Sequence, residues 1–381
     1  MNIVSSILLA NRGRDPQLLA LKWAKMKTSA FAFFRGTAPL FHREWSREKL
    51  PGAPRVWICG DAHTENVGSY KGDDRIPYFD LNDFDEACLA PAHYDLGRAL
   101  AALYLLKKPK HARMFLESYR QALLAGKPRH IEPEVAHGPI AALLAQVKER
   151  TREEFLAARV IGGKLRIRPN RSYPLDPQTK RRVRAIFEEW ARAQHDPKIY
   201  QVKDICGRIA GTGSLGLERY TLLVRGKKAP LIMDMKEACP SAVLPFYRGS
   251  QPKWTNEAQR VSRVQYFMQY VSIARLSWTA IGSKSFILRE LQPVEDRIDI
   301  SKLTEKDYDQ FVITWAKLLA SAHIRSGGWR GSATLEELMK YGEALTPSVE
   351  KRLLTSAARV AKKQFRDYRE FSKWPTEHTE D

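Results

Sequence analysis

The chain has 381 residues, 44% of them hydrophobic, which is enough for a substantial core in one large domain or two smaller ones. Its formal net charge of +20 favours anionic partners such as nucleic acid, nucleotides or acidic lipid headgroups, without distinguishing among them. Four scattered cysteines exclude a disulfide framework, and no segment has the pattern of a signal peptide or a membrane span, so we expect a soluble, cytoplasmic protein.

The segment 18–45 has two helical patterns, and the aromatic residues of the second have a spacing typical of core packing. Arg35 and Gly36 interrupt the aromatic run. Two roles for the arginine stay open. It could form a structural ion pair, with Asp80 or Asp95 as the carboxylate, or it could contact a phosphate.

The stretch 56–96 contains two apolar, strand-like runs, each followed by polar side chains. The first run, 56–59, is followed after Gly60 by Asp61, His63, Glu65 and Asn66. The second run, 76–79, is followed by Asp80, Asn82, Asp83, Asp85 and Glu86. A hairpin-like turn at 72–74 between the two runs would place both polar clusters side by side.

Phosphoryl transfer needs such a pairing, because its catalysis consists mostly of positioning and charge neutralisation. In kinases one Asp positions the attacking hydroxyl, an Asn five residues later binds a metal, and a second Asp holds Mg²⁺ at the phosphates. Asp61 and Asn66 have that offset, and the Asp-Phe-Asp at 83–85 stands where kinases carry Asp-Phe-Gly. Together with the Tyr-Asp-Leu at 94–96, these segments resemble the catalytic core of aminoglycoside and choline kinase-type phosphotransferases.

The resemblance implies ATP and Mg²⁺ as cofactors and a role for each motif residue. Asp61 would position an acceptor hydroxyl, while Asn66 and Asp83 would bind the metal. Asp85 would assist the metal or the acceptor. Asp95, at the start of a predicted helix, would brace the catalytic loop from below.

Helical patterns dominate from 92 to 194 and resemble the lower half of a kinase C-lobe. A basic loop at 162–177 interrupts them and is a candidate insertion. Positive charge is densest around this loop, between 148 and 192. The charge indicates either a solvated surface or a patch that faces a substrate or a polyanionic partner.

A sequence pattern typical of β-strands begins near residue 200 and contains a G-x-G-x-x-G motif. In a dinucleotide-binding fold this motif leads into a helix, whereas here a second strand (220–225) and a third strand (231–236) follow. The nucleotide clamp of a kinase N-lobe typically consists of a strand, a glycine loop and two further strands, and the last strand carries a lysine. The predicted nucleotide-binding residues are Gly211, Gly213, Ser214, Gly216 and Lys236.

A helix predicted over 256–278 has the position of the kinase helix that presents a glutamate to this lysine. Its only acidic residue, Glu257, lies in the first turn. The partner of Lys236 therefore stays open between Glu257, Glu237 and no carboxylate. The next strand, 285–291, would lead into a hinge that offers backbone hydrogen bonds to adenine.

The order of these elements differs from that of an ordinary kinase. The catalytic loop and metal aspartate, within 61–85, precede the glycine loop, the lysine, the hinge and a helix ending in an Ala-His pair, within 211–326. We therefore predict an α+β, protein-kinase-like, two-lobed fold that is circularly permuted. A C-lobe-like core would span 1–199, an N-lobe-like nucleotide-binding sheet 200–292, and helices returning to the C-lobe 293–381.

Five separated motifs resemble one uncharacterised bacterial family, domain of unknown function 2252. They lie between about residues 20 and 330 and read FAFFRG, CGDAHTEN, DLNDFDEA, GTGSLG and MKEACPS. The chain departs from the kinase pattern at Cys59, which replaces the usual histidine before Gly-Asp, and in the missing central helix glutamate. Either departure is compatible with nucleotidyl transfer or with a binding-only pseudokinase.

The sequence thus predicts an ATP- and Mg²⁺-dependent phosphotransferase that acts on an unidentified hydroxyl acceptor. A metal-dependent hydrolase is a second hypothesis, with the ligands Asp61, His63, Asp80 and Asp83. It leaves the glycine loop unexplained. A basic nucleic-acid-binding protein would account for the net charge, but the acidic motifs would repel a polyanion. An inactive kinase-like scaffold or nucleotide-binding regulator is the remaining alternative.

Overall fold

A computed structural model describes residues 2–375, which form a mixed α+β structure. The α-helices are α1 (Ile3–Ala10), α2 (Pro16–Lys27), α3 (Ala30–Gly36), α4 (Ala38–Trp45), α5 (His93–Leu105), α6 (Pro109–Ala125), α7 (Gly138–Lys148), α8 (Arg152–Ala157), α9 (Pro177–Arg192), α10 (Glu257–Met268), α11 (Glu305–Arg325), α12 (Leu335–Ala344) and α13 (Pro347–Ser372). Short 3₁₀ turns span Pro197–Tyr200, Ile300–Lys302 and Trp329–Gly331. None of the helices described is long and apolar enough to cross a membrane.

The strands are β1 (Arg55–Ile58), β2 (Val67–Lys71), β3 (Pro77–Leu81), β4 (Cys88–Pro91), β5 (Val160–Ile161), β6 (Lys164–Leu165), β7 (Ser172–Tyr173), β8 (Val202–Arg208), β9 (Arg219–Val224), β10 (Leu231–Glu237), β11 (Ser277–Ile281) and β12 (Lys284–Glu290). Six strands form one antiparallel sheet in the order β11-β12-β10-β9-β8-β7. The pairs β1–β4, β2–β3 and β5–β6 form two-stranded sheets.

The largest core lies in the helical part of the molecule, where α6 packs against α11 and α5 packs against α13. Phe115 and Trp315 meet there with ring centroids 4.5 Å apart. The strands β1 and β3 border the same core. The loops that follow these two strands are therefore anchored on a packed helical base.

The six-stranded sheet has two different faces, since side chains alternate along a strand. One face packs on α9 through Leu222, Met233 and Leu288, which contact Val183 and Phe187. The opposite face, called the inner face below, carries charged residues and borders the cleft toward the helical part. The sheet thus has an apolar outer side and a polar inner side.

Two predictions of local structure are wrong. The turn predicted at 72–74 does close a hairpin, but that hairpin pairs β3 with β2, whereas the run 56–59 forms β1 and pairs with β4. The helix predicted over 256–278 ends at Met268. Beyond it, Gln269 donates to the Leu81 carbonyl and Tyr270 N–H donates to Asp80, so contacts distant in sequence replace the helical ones.

Packing of α5 on α4 depends on a glycine. A methyl group on Gly97 would lie 2.2 Å from the Trp45 ring. We expect Gly97→Ala to lower the free energy of unfolding by about 1–3 kcal/mol, the usual cost of overpacking a core. Urea denaturation measures this change in the free energy of unfolding. Gly52→Ala is the matched control, because a methyl group at Gly52 meets nothing within 4 Å. Equal stability of the two variants would contradict this packing.

Candidate functional site

A cavity of about 1440 Å³ lies between the inner face of the sheet and the loops that follow β1 and β3. All nine predicted site residues line it: Asp61, Asn66, Asp83, Asp85, Gly211, Gly213, Ser214, Gly216 and Lys236. They come from two regions that are far apart in the sequence. The fold brings both regions to one cleft.

Asp61 is held by a buried arginine of α5. Arg98 Nε donates to Asp61 Oδ1 at 2.7 Å, and the guanidinium lies 3.5 Å from the centre of the Phe34 ring. Burial acts to raise the pKa of Asp61, but Arg98 and then His63 outweigh it, so the pKa lies below its ordinary value. Asp61 is therefore a carboxylate at neutral pH.

Asn66 and Asp61 are connected through the backbone. The Asn66 Nδ2 group donates to the Asp61 carbonyl at 2.9 Å, and the Asn66 N–H donates to the His63 carbonyl. These bonds fix the six-residue loop from Asp61 to Asn66. Because the amide nitrogen of Asn66 is occupied, its oxygen is the atom left for a ligand.

Lys236 bridges the two sides of the cleft. It reaches from β10 to contact Asp85, and its Nζ lies 3.9 Å from Asp83 Oδ1. Burial and the neighbouring Asp85 raise the pKa of Asp83, while Lys236 acts in the opposite direction. The ammonium group thus neutralises a crowded pair of carboxylates.

The structure answers the open question about the partner of Lys236. Glu237 accepts from the Glu218 N–H at 2.9 Å and pairs with Lys284, and Glu257 pairs with Arg260. Neither glutamate contacts Lys236. Its carboxylate partners are the two aspartates of the loop after β3.

The donor set of Asp83 and Asn66 fits Mg²⁺, which prefers carboxylate and carbonyl oxygens. Crowding of Asp83 and Asp85 around one ammonium group also marks a place where a cation lowers the electrostatic energy. Across residues 2–375, the one preformed three-residue cluster of acidic or histidine ligands is elsewhere, at His111, Glu305 and Asp309. Lys108 and Lys110 already neutralise its carboxylates.

Asp95 supports the loop from below, as the resemblance predicts. This fully buried carboxylate accepts from Cys59 N–H at 2.9 Å and Gly60 N–H at 2.8 Å. The oxygen that accepts from Cys59 also lies 3.3 Å from His323 Nε2, and the Nδ1 atom of the same ring contacts the Tyr119 hydroxyl. The loop start is thereby tied to α5, α6 and α11.

The glycine loop is held by the N-terminal segment, which the sequence analysis did not assign to the site. Arg14 Nη1 donates to the carbonyls of Gly213 (2.7 Å) and Leu215 (3.1 Å). The buried Lys22 donates to the Gly213 carbonyl at 2.8 Å and to Asn11 at 2.7 Å. No sequence motif linked these cations to the loop, because the contacts span almost two hundred residues.

Arg35 forms an ion pair, but with neither of the predicted aspartates. It pairs with Glu65 at 2.9 Å, and Arg297 contacts the same carboxylate. Asp80 instead pairs with Arg325 at 2.9 Å and does not line the cavity. The metal-ligand set of the hydrolase hypothesis is therefore not assembled.

A second group that sequence reasoning missed lies on the inner face of the sheet. Asp234 is buried between Arg208 and Arg219, each 2.6 Å away, and Arg289 lies at 3.3 Å. Burial alone would raise the pKa of Asp234, but the arginines hold it well below its ordinary value. The sequence showed charged residues in β9, β10 and β12. It did not show which of these residues pair across neighbouring strands.

The end of the strand that was predicted to lead into a hinge has its backbone amides occupied. The N–H groups of Glu290 and Leu291 donate to the carbonyls of Ala274 (3.0 Å) and Ile232 (2.8 Å). The Gln292 N–H donates to Glu295 at 3.0 Å. The amides of 290–292 are therefore bonded within the protein and are not offered to adenine, and the hinge that would follow them stays a prediction.

A family model described as an uncharacterised protein conserved in bacteria (DUF2252) matches residues 14–374. No curated protein and no solved structure matches the chain. The match begins at Arg14 and so includes the segment that holds the glycine loop. It extends beyond the residues that carry the five sequence motifs.

Glu86, beside Asp85 on the cavity wall, gives a pH-dependent prediction. Burial and Asp85 raise its pKa to about 7, although the Ala242 N–H donates to the carboxylate. The folded protein thus holds this proton more tightly than the unfolded chain does, and that stabilisation is lost as the pH rises toward 7 and above. In thermal melting from pH 4.5 to 8, Glu86→Gln should gain stability relative to wild type as the pH increases. Parallel pH curves would contradict the assignment.

Proposed function

The chain belongs to the bacterial family DUF2252, and we propose that this member is an ATP- and Mg²⁺-dependent phosphotransferase with a circularly permuted, protein-kinase-like fold. Its acceptor would be a hydroxyl compound. The observation that carries the proposal is the convergence of the Asp61–Asp85 region and the glycine loop with Lys236 on one cavity. A protein without phosphate chemistry has no evident need for that combination.

Asp61 is suited to positioning an acceptor hydroxyl. Its charge is fixed by Arg98, and its loop is fixed by Asp95 and Asn66. A carboxylate with a lowered pKa is a weak base, so Asp61 would orient the hydroxyl and accept its proton late. The loose transition state of phosphoryl transfer does not require a strong base at the attacking hydroxyl.

Asp83 and Asn66 would hold Mg²⁺, and Asp85 would support the metal or the acceptor. The bound metal would supply charge neutralisation at the phosphates. Lys236, which now contacts Asp85, would then be free to turn to the α- and β-phosphates. The glycine loop between β8 and β9 would cover the phosphate chain with its backbone amides.

A catalytically inactive nucleotide binder is the second candidate function. One observation favours it: no carboxylate of α10 pairs with Lys236, since Glu257 pairs with Arg260. In active kinases a lysine–glutamate pair orders the lysine. Turnover measurements separate the two candidates.

The first functional prediction concerns the metal ligand. Asp83→Ala removes a carboxylate that would hold Mg²⁺, so we expect at least a hundredfold loss of Mg²⁺-dependent turnover of ATP. Because the acceptor is unidentified, the assay uses the slow transfer of the phosphoryl group from ATP to water. Release of inorganic phosphate measures that transfer. Glu149→Gln, an exposed residue outside the cavity, is the control. Full turnover by Asp83→Ala would refute the metal assignment.

The second prediction separates binding from chemistry. Asp61→Asn keeps the side-chain volume but removes the charge that orients the hydroxyl. We expect the Kd for Mg²⁺-ATP to stay within about threefold and turnover to fall by about 10²–10⁴-fold. Titration calorimetry and phosphate release measure the two quantities on one preparation. Unchanged turnover would exclude Asp61 as the catalytic aspartate.

A further inference from the structure

We infer that the cleft recognises its phosphoryl donor through the phosphate chain and makes no base-specific contact. ATP, GTP, CTP and inorganic tripolyphosphate should then bind alike. This inference rests on the proposed function and deepens it by defining the class of donor. It follows from three features of the inner face and its border.

The apolar end of the inner face is already covered. Ile232 and Leu223 lie there beside Leu291, and the side chains of Phe155 and Leu165 pack onto them. Phe155 comes from α8 and Leu165 from β6, so the covering residues belong to α8 and to the start of the basic loop. An aromatic base has no free apolar surface to stack on at this end.

The middle of the inner face is an ion cluster. Asp234 is only 1% exposed and shares its charge with Arg208, Arg219 and Arg289. A second carboxylate, Glu295, accepts from Arg289 at 2.9 Å. A neutral base inserted among these side chains would separate the ion pairs of Asp234 and leave buried charges unpaired, which is strongly unfavourable. The cluster therefore disfavours insertion of a base at this place.

The backbone at the border of the sheet offers no free N–H from Glu290 to Pro293. The first three amides donate within the protein, and proline has none. Base selectivity usually depends on such donors, because a site that hydrogen-bonds one ligand leaves polar groups unpaired with another. Without free donors here, this segment cannot read an adenine edge through its amides.

The other end of the cavity contains groups that can bind an anion. Lys236 and the glycine loop lie there, together with Arg14 and Lys22. Arg14 and Lys22 donate to neutral oxygens, and no ion pair with a carboxylate is present for either in the part of the chain described. The positive charge of Arg14 is thus not cancelled by a direct partner, whereas burial lowers the pKa of Lys22 well below its ordinary value. Attraction to the donor is concentrated on its phosphates.

The test is titration calorimetry of the full-length protein with Mg²⁺ and each of ATP, GTP, CTP and tripolyphosphate. We expect the four Kd values to agree within about threefold. The variant Lys236→Met should weaken all four by a similar factor, because it removes a phosphate contact. Its melting temperature without ligand shows whether the variant is folded.

The outcomes separate this inference from the proposed function. Binding of ATP at least tenfold tighter than of GTP, CTP and tripolyphosphate would overturn base-independent recognition and leave the phosphotransferase proposal standing. Binding of tripolyphosphate without any nucleotide would support phosphate recognition and overturn the nucleotide donor. Absence of binding for all four would overturn both.

Discussion

The geometry of the site depends on one buried carboxylate. Asp95 has no exposed surface, and burying such a charge is costly unless hydrogen bonds satisfy it. The Cys59 and Gly60 amides satisfy it, and Gly60 can turn sharply there because its φ is +78°. The same turn directs Asp61 into the cavity. A change at Asp95 would therefore displace the proposed catalytic loop without touching any substrate.

The cleft is closed by contacts that join distant parts of the chain. Lys236 connects the sheet to the loop after β3, and Arg14 and Lys22 connect the glycine loop to the N-terminal helices. A glycine loop held by side chains of Arg14 and Lys22 is less free to open than a loop fixed only at its strands. The N-terminal segment is thus part of the site in this structure, and the family match that starts at Arg14 includes it.

Local patterns predicted much of this protein, and long-range contacts account for what they missed. The strands around the glycine loop and the family were predicted correctly, because turn residues and motifs are local signals. The partner of Arg35 was not predicted correctly. Several carboxylates are candidates in the sequence, and only the fold shows that Glu65 is the one within reach. The amides at the end of the predicted strand 285–291 are a second case, since the Leu291 N–H donates to Ile232 of a neighbouring strand. The kinase-like permutation and its chemistry stay proposals.

Thermal melting with and without Mg²⁺ and ATP, on wild type and Lys236→Ala, tests the central claim most directly. A ligand that binds only the folded state stabilises it by roughly 2.7 kcal/mol at a hundredfold excess over Kd, which corresponds to a shift of a few degrees. The account predicts that shift for wild type when both Mg²⁺ and ATP are present, and its loss in Lys236→Ala. A wild-type protein whose melting temperature does not respond to Mg²⁺-ATP would contradict it.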